Sequence, residues 1–307
     1  MGFFDLFKST GKSKGKGKIA GPPRPKPKLK VDLKKRFDLH SRTGQGSMSK
    51  VWRAYDRDLG MAVCLKLLDK EKTKKFEARF IGRNKPSEGE ICMLLQHQNL
   101  VRTFDFGVLS TGEPFMSMEW VDGVGLNFLV ETRSPGLKPK IIDYLTQLSD
   151  AVEYMHTQKF LHRDLCPRNV MVTNEGKIKL IDFGLTIPYT PAFCEPGNRT
   201  GTPDYLAPEI IKRQSTDHRV DLFALSVTAY ELFTGGLPWP KAQGSMEVLR
   251  KHLNNSGRDP REYKPKMSDE LHAFLVKGIE RDVSKRFHSA AEFRDELQAL
   301  EETTLGI

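Results

Sequence analysis

Cysteine is scarce in this chain: four residues, Cys64, Cys92, Cys166 and Cys194, are scattered over 307 positions without a CxxC pair or a histidine at ligand spacing. That excludes a disulfide framework and a structural zinc site, and it fits a reduced compartment. Long apolar runs are also missing, none approaching the roughly 20 residues that cross a bilayer. The opening Met-Gly-Phe-Phe-Asp-Leu-Phe is too short and lacks the basic region of a secretory signal. Leu6 stands where a myristoylation pattern needs Ser or Thr. The expected location is cytoplasmic, with a membrane-peripheral one as the alternative.

A basic excess is absent from most of the chain. Residues 1–36 hold twelve Lys and Arg against Asp5 and Asp32, so this segment alone accounts for the net charge of +10. The remaining 271 residues (307 less 36) balance at 37 of each sign. A dedicated nucleic-acid binder carries its basic surface on the folded domain, so that class is not supported. Residues 8–30 alternate Lys with Gly, Ser and Pro, a composition that cannot bury enough apolar area to offset chain ordering. We therefore expect a disordered basic tail over residues 1–32. Two readings of it stay open: a solvated leader, or a polybasic segment tipped by Phe3, Phe4, Leu6 and Phe7 that touches an anionic membrane or an acidic partner.

From Phe37 onward the pattern is that of strands: residues 37–43, 48–57 and 61–68 are β-rich runs parted by turn residues, and further strands fall near 101–108 and 114–120. Helical periodicity appears in Ile141, Ile142, Leu145, Leu148, Val152 and Met155. Over 219–234 apolar residues cover every face, which predicts a buried core helix in which Asp221 is a carboxylate needing partners. Ser87-x-x-Glu90 reads as a capping box, and Pro86 and Gly89 are poor interior helix residues, so a helix there starts late.

The densest chemistry lies in residues 162–184. His162-Arg163-Asp164 is followed by Asn169 and then by Asp182-Phe183-Gly184, which sets groups suited to proton handling and metal binding at the ends of short strands. This spacing resembles the catalytic half of the eukaryotic-type protein kinase signature, and the resemblance covers about residues 37–300. It implies an α+β, two-lobed fold: a small N-terminal antiparallel sheet lobe over about 33–121 and a larger, mainly helical lobe over about 122–302, with 303–307 as a short tail.

The resemblance also implies roles. Asp164 is the catalytic base, and Asn169 and Asp182 hold Mg²⁺, or Mn²⁺ in its place, on the phosphates of ATP. Gly44-Gln45-Gly46-Ser47 through Val51 resembles the loop that covers the phosphates, with Ser49 where the family has its third glycine. Ala62 to Lys66 resembles the strand whose lysine holds the α and β phosphates and pairs with a helix glutamate. Ungapped counting places that glutamate at Glu88, with Glu90 as the runner-up. Met118, Glu119 and Val121 resemble the adenine hinge. Asp221 matches the aspartate that holds the catalytic loop, and Ser226 stands where the family has a glycine. Glu209 of Ala207-Pro208-Glu209 and Arg286 match a buried ion pair.

Departures bear on the acceptor. Cys166 replaces the lysine usual two residues after the aspartate, and Arg168, placed as in tyrosine kinases, is a candidate to stabilise the transferred phosphate. Gly201-Thr202-Pro203-Asp204-Tyr205-Leu206 resembles the serine/threonine branch instead, where Thr202 contacts the catalytic loop. Arg163 suggests control by an activation-loop phosphate, with Thr200, Thr190 and Tyr189 as acceptors and Asn198 where relatives often carry one. The expected function is a serine/threonine protein kinase acting on protein substrates. The alternatives are a silent pseudokinase scaffold, a kinase of dual or tyrosine specificity, and a small-molecule kinase.

Overall fold

The computed structural model describes residues 25–45, 49–197, 199–239 and 244–304. These fall into two compact units, one reaching to His97 and including Val101–Val121, the other comprising Gln98–Leu100 and the chain from Asp122.

The first unit is built on strands β1 (Lys28–Val31), β2 (Phe37–Gln45), β3 (Ser49–Asp56), β4 (Met61–Leu68), β5 (Thr103–Leu109) and β6 (Pro114–Glu119). They form one sheet in the order β1-β5-β6-β4-β3-β2. All of its pairings are antiparallel except the parallel β1–β5 contact. Inward-facing Phe37, Ala54, Val63, Leu65, Leu67, Leu109 and Phe115 make its core, where Phe37 and Phe115 meet edge to face at 5.7 Å. Helices α1 (Leu33–Arg36), α2 (Lys70–Glu77) and α3 (Glu88–Leu94) complete the unit. Asp32 caps α1 by accepting from the Lys34 and Lys35 amides, and Ser87 and Glu90 close a reciprocal capping box at α3.

One boundary differs from expectation. Lys28–Val31, inside the segment expected to be disordered, is an edge strand. Its residues are mostly exposed, so apolar burial does not hold it. It is held by backbone pairing at Gly107, where a Cβ would lie 2.8 Å from the Lys28 carbonyl carbon, and by charge. Lys28 Nζ bonds Asp105 at 2.8 Å, and the buried Arg36 guanidinium grips Asp56 at 2.8 Å and Asp105 at 2.7 Å. Residues 1–24 of the expected tail lie outside the described residues, as do Gly46, Ser47 and Asn198.

The second unit holds small sheets of β7 (Gly123–Gly125) with β9 (Val170–Thr173) and β10 (Ile178–Leu180), and of β8 (Phe160–Leu161) with β11 (Ile187–Pro188). Its helices are α4 (Leu126–Glu131), α5 (Ile141–Thr157), α6 (Pro191–Cys194), α7 (Pro208–Ile211), α8 (Arg219–Thr234), α9 (Ser245–Asn254), α10 (Asp269–Gly278) and α11 (Ala290–Thr304). The all-round apolar α8 is buried over thirteen of its sixteen residues and ends at Gly235, whose φ of 76° suits a residue without Cβ. Helices α5 and α10 pack against it and α11 packs against both of them, with Phe274, Phe287 and Phe293 at 4.9–5.1 Å between ring centres. Among the described residues no helix is long and apolar enough to cross a membrane.

Candidate active site

In the first unit, Lys66 sits near the end of β4, buried, and its Nζ donates to Glu88 Oε1 at 2.7 Å. Glu90 does not serve this pair, because its carboxylate accepts from the Ser87 amide and hydroxyl at 2.8 Å each in the capping box. Val51 lies across from Lys66 on β3 and from Gly44 on β2, and Gln45 pairs with Lys50, so the described ends of the glycine-rich segment are strand residues beside the lysine. Ala62 pairs with Tyr55 farther along β4. Met118 is buried between Cys64 and Thr103 on β6, and Glu119 exchanges bonds with Arg102: its amide donates to the Arg102 carbonyl and its Oε1 accepts from the Arg102 amide, both 2.8 Å. Val121 follows, half-buried.

In the second unit the loop after β8 is fastened from beneath. The fully buried Asp221 of α8 accepts from the His162 and Arg163 amides at 2.8 Å each and bonds His156 Nε2 at 2.9 Å. Burial works against its charge, yet these bonds, His156 first, hold the Asp221 carboxyl below the ordinary carboxylate range. Arg163 takes a positive φ of 68°, a strained conformation for a side-chain-bearing residue that this double anchoring enforces. The turn presents Asp164. Its Oδ1 accepts from the Thr202 amide at 2.7 Å and the Thr202 hydroxyl at 2.8 Å, and its Oδ2 accepts from Asn169 Nδ2 at 3.1 Å. The same Asn169 nitrogen donates to the Asp164 carbonyl at 2.7 Å.

Asp182 is brought beside Asn169 by the backbone, since the Ile181 amide donates to the Asn169 carbonyl at 2.9 Å. Asp182 Oδ1 accepts from the Gly184 amide at 3.0 Å. Phe183 packs edge to face on the buried His162 ring at 5.6 Å. Asn169 commits its side-chain nitrogen to Asp164, which leaves its amide oxygen as the group it can offer a metal. One amide oxygen and one carboxylate fit a magnesium ion, which keeps most of its waters, better than an all-protein cage. No group of three or more His, Cys, Asp or Glu able to hold a metal occurs among the described residues.

The segment beyond Thr202 is anchored by a bidentate buried pair, Arg286 to both Glu209 oxygens at 2.9 Å, and Arg286 also donates to the Glu280 carbonyl at 2.6 Å. Thr200 is half-buried, Thr190 precedes α6, and the Tyr189 hydroxyl meets His218 Nδ1 at 3.2 Å. Burial lowers the Arg163 guanidinium below its ordinary value, against the attraction of Asp221. Cys166 is buried beside Thr202, and burial, then the Asp164 charge, push its thiol up to about 11.

One feature escapes sequence reasoning. Arg168 is exposed at the rim of a cavity of about 330 Å³ whose lining includes Glu131, Asp204, Tyr205 and Glu231, with the Tyr205 hydroxyl donating to Glu231. Its acidic members come from α4, the Thr202–Leu206 turn and α8, far apart in the chain; only Asp204 lies in a segment that the motif reading singled out.

Comparison with known proteins agrees with this geometry. The protein kinase domain family matches residues 37–296. A probable serine/threonine-protein kinase of Streptomyces coelicolor is 30% identical over 278 residues, covering 86% of this chain and 40% of the relative. Serine/threonine-protein kinase pkn3 of Myxococcus xanthus is 30% identical over 277 residues, 87% of this chain and 50% of the relative. Serine/threonine-protein kinase PknB of Mycobacterium tuberculosis is 29% identical over 277 residues, 86% and 43%. The chain thus spans half or less of the length of these relatives. With its two units, its fastened Asp164 loop and a match over most of its length, the chain belongs to the protein kinase domain family.

Proposed function

We propose that this chain is an ATP-dependent kinase that transfers the γ-phosphate to serine and threonine hydroxyls of proteins, through a catalytic domain of residues 33–302. The observation that carries the reading is the Asp164 carboxylate, oriented on one oxygen by Thr202 and on the other by Asn169. Phosphoryl transfer asks for an aligned nucleophile and compensation of phosphate charge rather than covalent help. Asp164 orients the acceptor hydroxyl and takes its proton. Asn169 and Asp182 would hold Mg²⁺, which would supply charge compensation to the phosphates. Lys66, kept extended by Glu88, binds the α and β phosphates under the Gly44–Val51 segment, in which Gly46 and Ser47 belong. Ala62, Met118, Glu119 and Val121 take the adenine.

One observation supports the acceptor class. Thr202 lends both amide and hydroxyl to Asp164, the contact the serine/threonine branch leads one to expect. Arg168, four residues after Asp164 and placed as in tyrosine kinases, argues the other way on acceptor class, yet it supplies the positive charge that Cys166 cannot, either to the transferred phosphate or to the acceptor chain. The cavity beside it carries three acidic side chains against this one arginine, which favours acceptor peptides with a basic residue near the hydroxyl. Arg163 is suited to a phosphate on Thr200 or Thr190.

The acceptor class is tested with MgATP and matched Ser, Thr and Tyr peptides, the product residue being read by mass spectrometry. Phosphoserine and phosphothreonine are expected. Phosphotyrosine alone would overturn the assignment.

A further inference from the structure

We infer that Gly89 is a positioning residue for the Lys66–Glu88 pair: by lacking a Cβ it lets α3 seat on Phe106 closely enough for Glu88 to reach the lysine. This rests on the roles given above to Lys66 and Glu88.

The sheet register supplies the geometry. Phe106 on β5 pairs with Met116 on β6, and Met116 pairs with Lys66 on β4. Directly paired residues point to the same face. Phe106 and Lys66 therefore lie in one cross-strand row, on either side of Met116, and two adjacent helix residues meet that row. Glu88 bonds Lys66 at 2.7 Å, while Gly89 lies against Phe106. A Cβ at Gly89 would stand 2.7 Å from Phe106 Cγ and 2.8 Å from Phe106 Cβ, where ordinary contact begins at 3.4 Å. Because Phe106 Cβ is fixed by the strand and the ring is buried, no rotamer change opens the space; helix and strand must part by several tenths of an ångström. The charge-assisted bond next door has little slack, since such bonds hold their strength only near 2.7–2.9 Å.

Helix propensity points the same way. Glycine inside a helix is about 1 kcal/mol worse than alanine, so propensity alone gives no reason for it at the second position of a seven-residue helix. The capping box fixes where α3 begins, and the glycine fixes how near its first turn comes to the sheet.

The test is a cycle of Gly89→Ala, Glu88→Gln and the double variant, read as kcat/KM for ATP and KM for peptide, with folding checked by thermal unfolding. Gly89→Ala should lower kcat/KM for ATP about tenfold and leave the peptide KM within about twofold, and it should add nothing once Glu88 is Gln. Phe106→Trp, which pushes from the strand side, should repeat this Glu88-dependent loss and serves if Gly89→Ala does not fold. An unchanged kcat/KM for ATP in the folded variant, or a loss of equal size in the Glu88→Gln background, overturns the inference. A Glu88→Gln chain as active as the parent would instead overturn the Lys66–Glu88 reading, and this inference with it.

Discussion

Asp164 is the residue on which the proposed chemistry converges, and its neighbours show how much of its loop is scaffolding. Thr202 and Asn169 occupy three hydrogen bonds to its carboxylate, while Asp221 holds the two preceding amides. Cys166, two residues on, is chemically quiet: with its thiol near 11 it is almost wholly protonated at neutral pH. Cys64 and Cys194 are likewise pushed up to about 11, in each case first by burial. Iodoacetamide at pH 7.4 should therefore leave Cys166 unmodified in the folded protein over hours, with alkylation appearing only as the pH nears 11, as followed by peptide mass mapping. Rapid labelling at neutral pH would contradict this. Glu209 and Arg286 allow a second prediction at this scale. Breaking a buried pair on one side strands the partner's charge, so Glu209→Gln or Arg286→Met should cost about 3–5 kcal/mol in denaturant unfolding.

Among the elements, α9 carries a pH dependence. Its His252 is buried, lies 4.2 Å from the Trp239 ring, and burial pushes it down to about 4 from 6.5. Between those values the unfolded chain binds a proton there that the folded chain refuses. Stability is thus fully present above pH 6.5 and is lost as the pH falls toward 4, by about 3 kcal/mol at most. Urea midpoints of the parent should drop over that range more steeply than those of His252→Gln, and equal slopes would contradict the assignment. Helix α8 makes one close approach that needs a glycine on its neighbour. Ser226 on α8 faces Gly278 on α10, where a Cβ would collide with the Ser226 side chain. Gly278→Ala should destabilise by about 1–3 kcal/mol, and Ser226→Gly in the same chain should restore most of the loss.

These elements also show what was legible in the residues. Period-two runs marked β2 to β6 to within a few residues, and the all-round apolar pattern gave α8 its full length. Ser87 and Glu90 announced the late start of α3. Strand β1 was hidden because Lys-rich, exposed residues carry no burial pattern, and its attachments, Asp105 and Gly107, lie far along the chain. Gly89 looked like a defect in a helix because only the fold shows Phe106 beneath it. The acidic cavity is assembled from three remote segments, which no local pattern links.

At the scale of the molecule, charge is divided: residues 1–36 carry the whole excess of +10, half of it on residues 1–24, and residues 37–307 balance. Single short anchors bind membranes marginally, so removing residues 1–24 should change co-sedimentation with anionic liposomes less than about twofold at physiological salt. A larger drop would give the leader a membrane role. The central claim, that Asp164 with Asn169 and Asp182 performs phosphoryl transfer, is tested most directly by incubating the purified chain with γ-labelled ATP and Mg²⁺ beside Asp164→Asn and Asp182→Asn. The parent should label serine or threonine residues of an acceptor protein while both variants fall at least about a thousandfold. Parent labelling no higher than that of the variants would contradict the account.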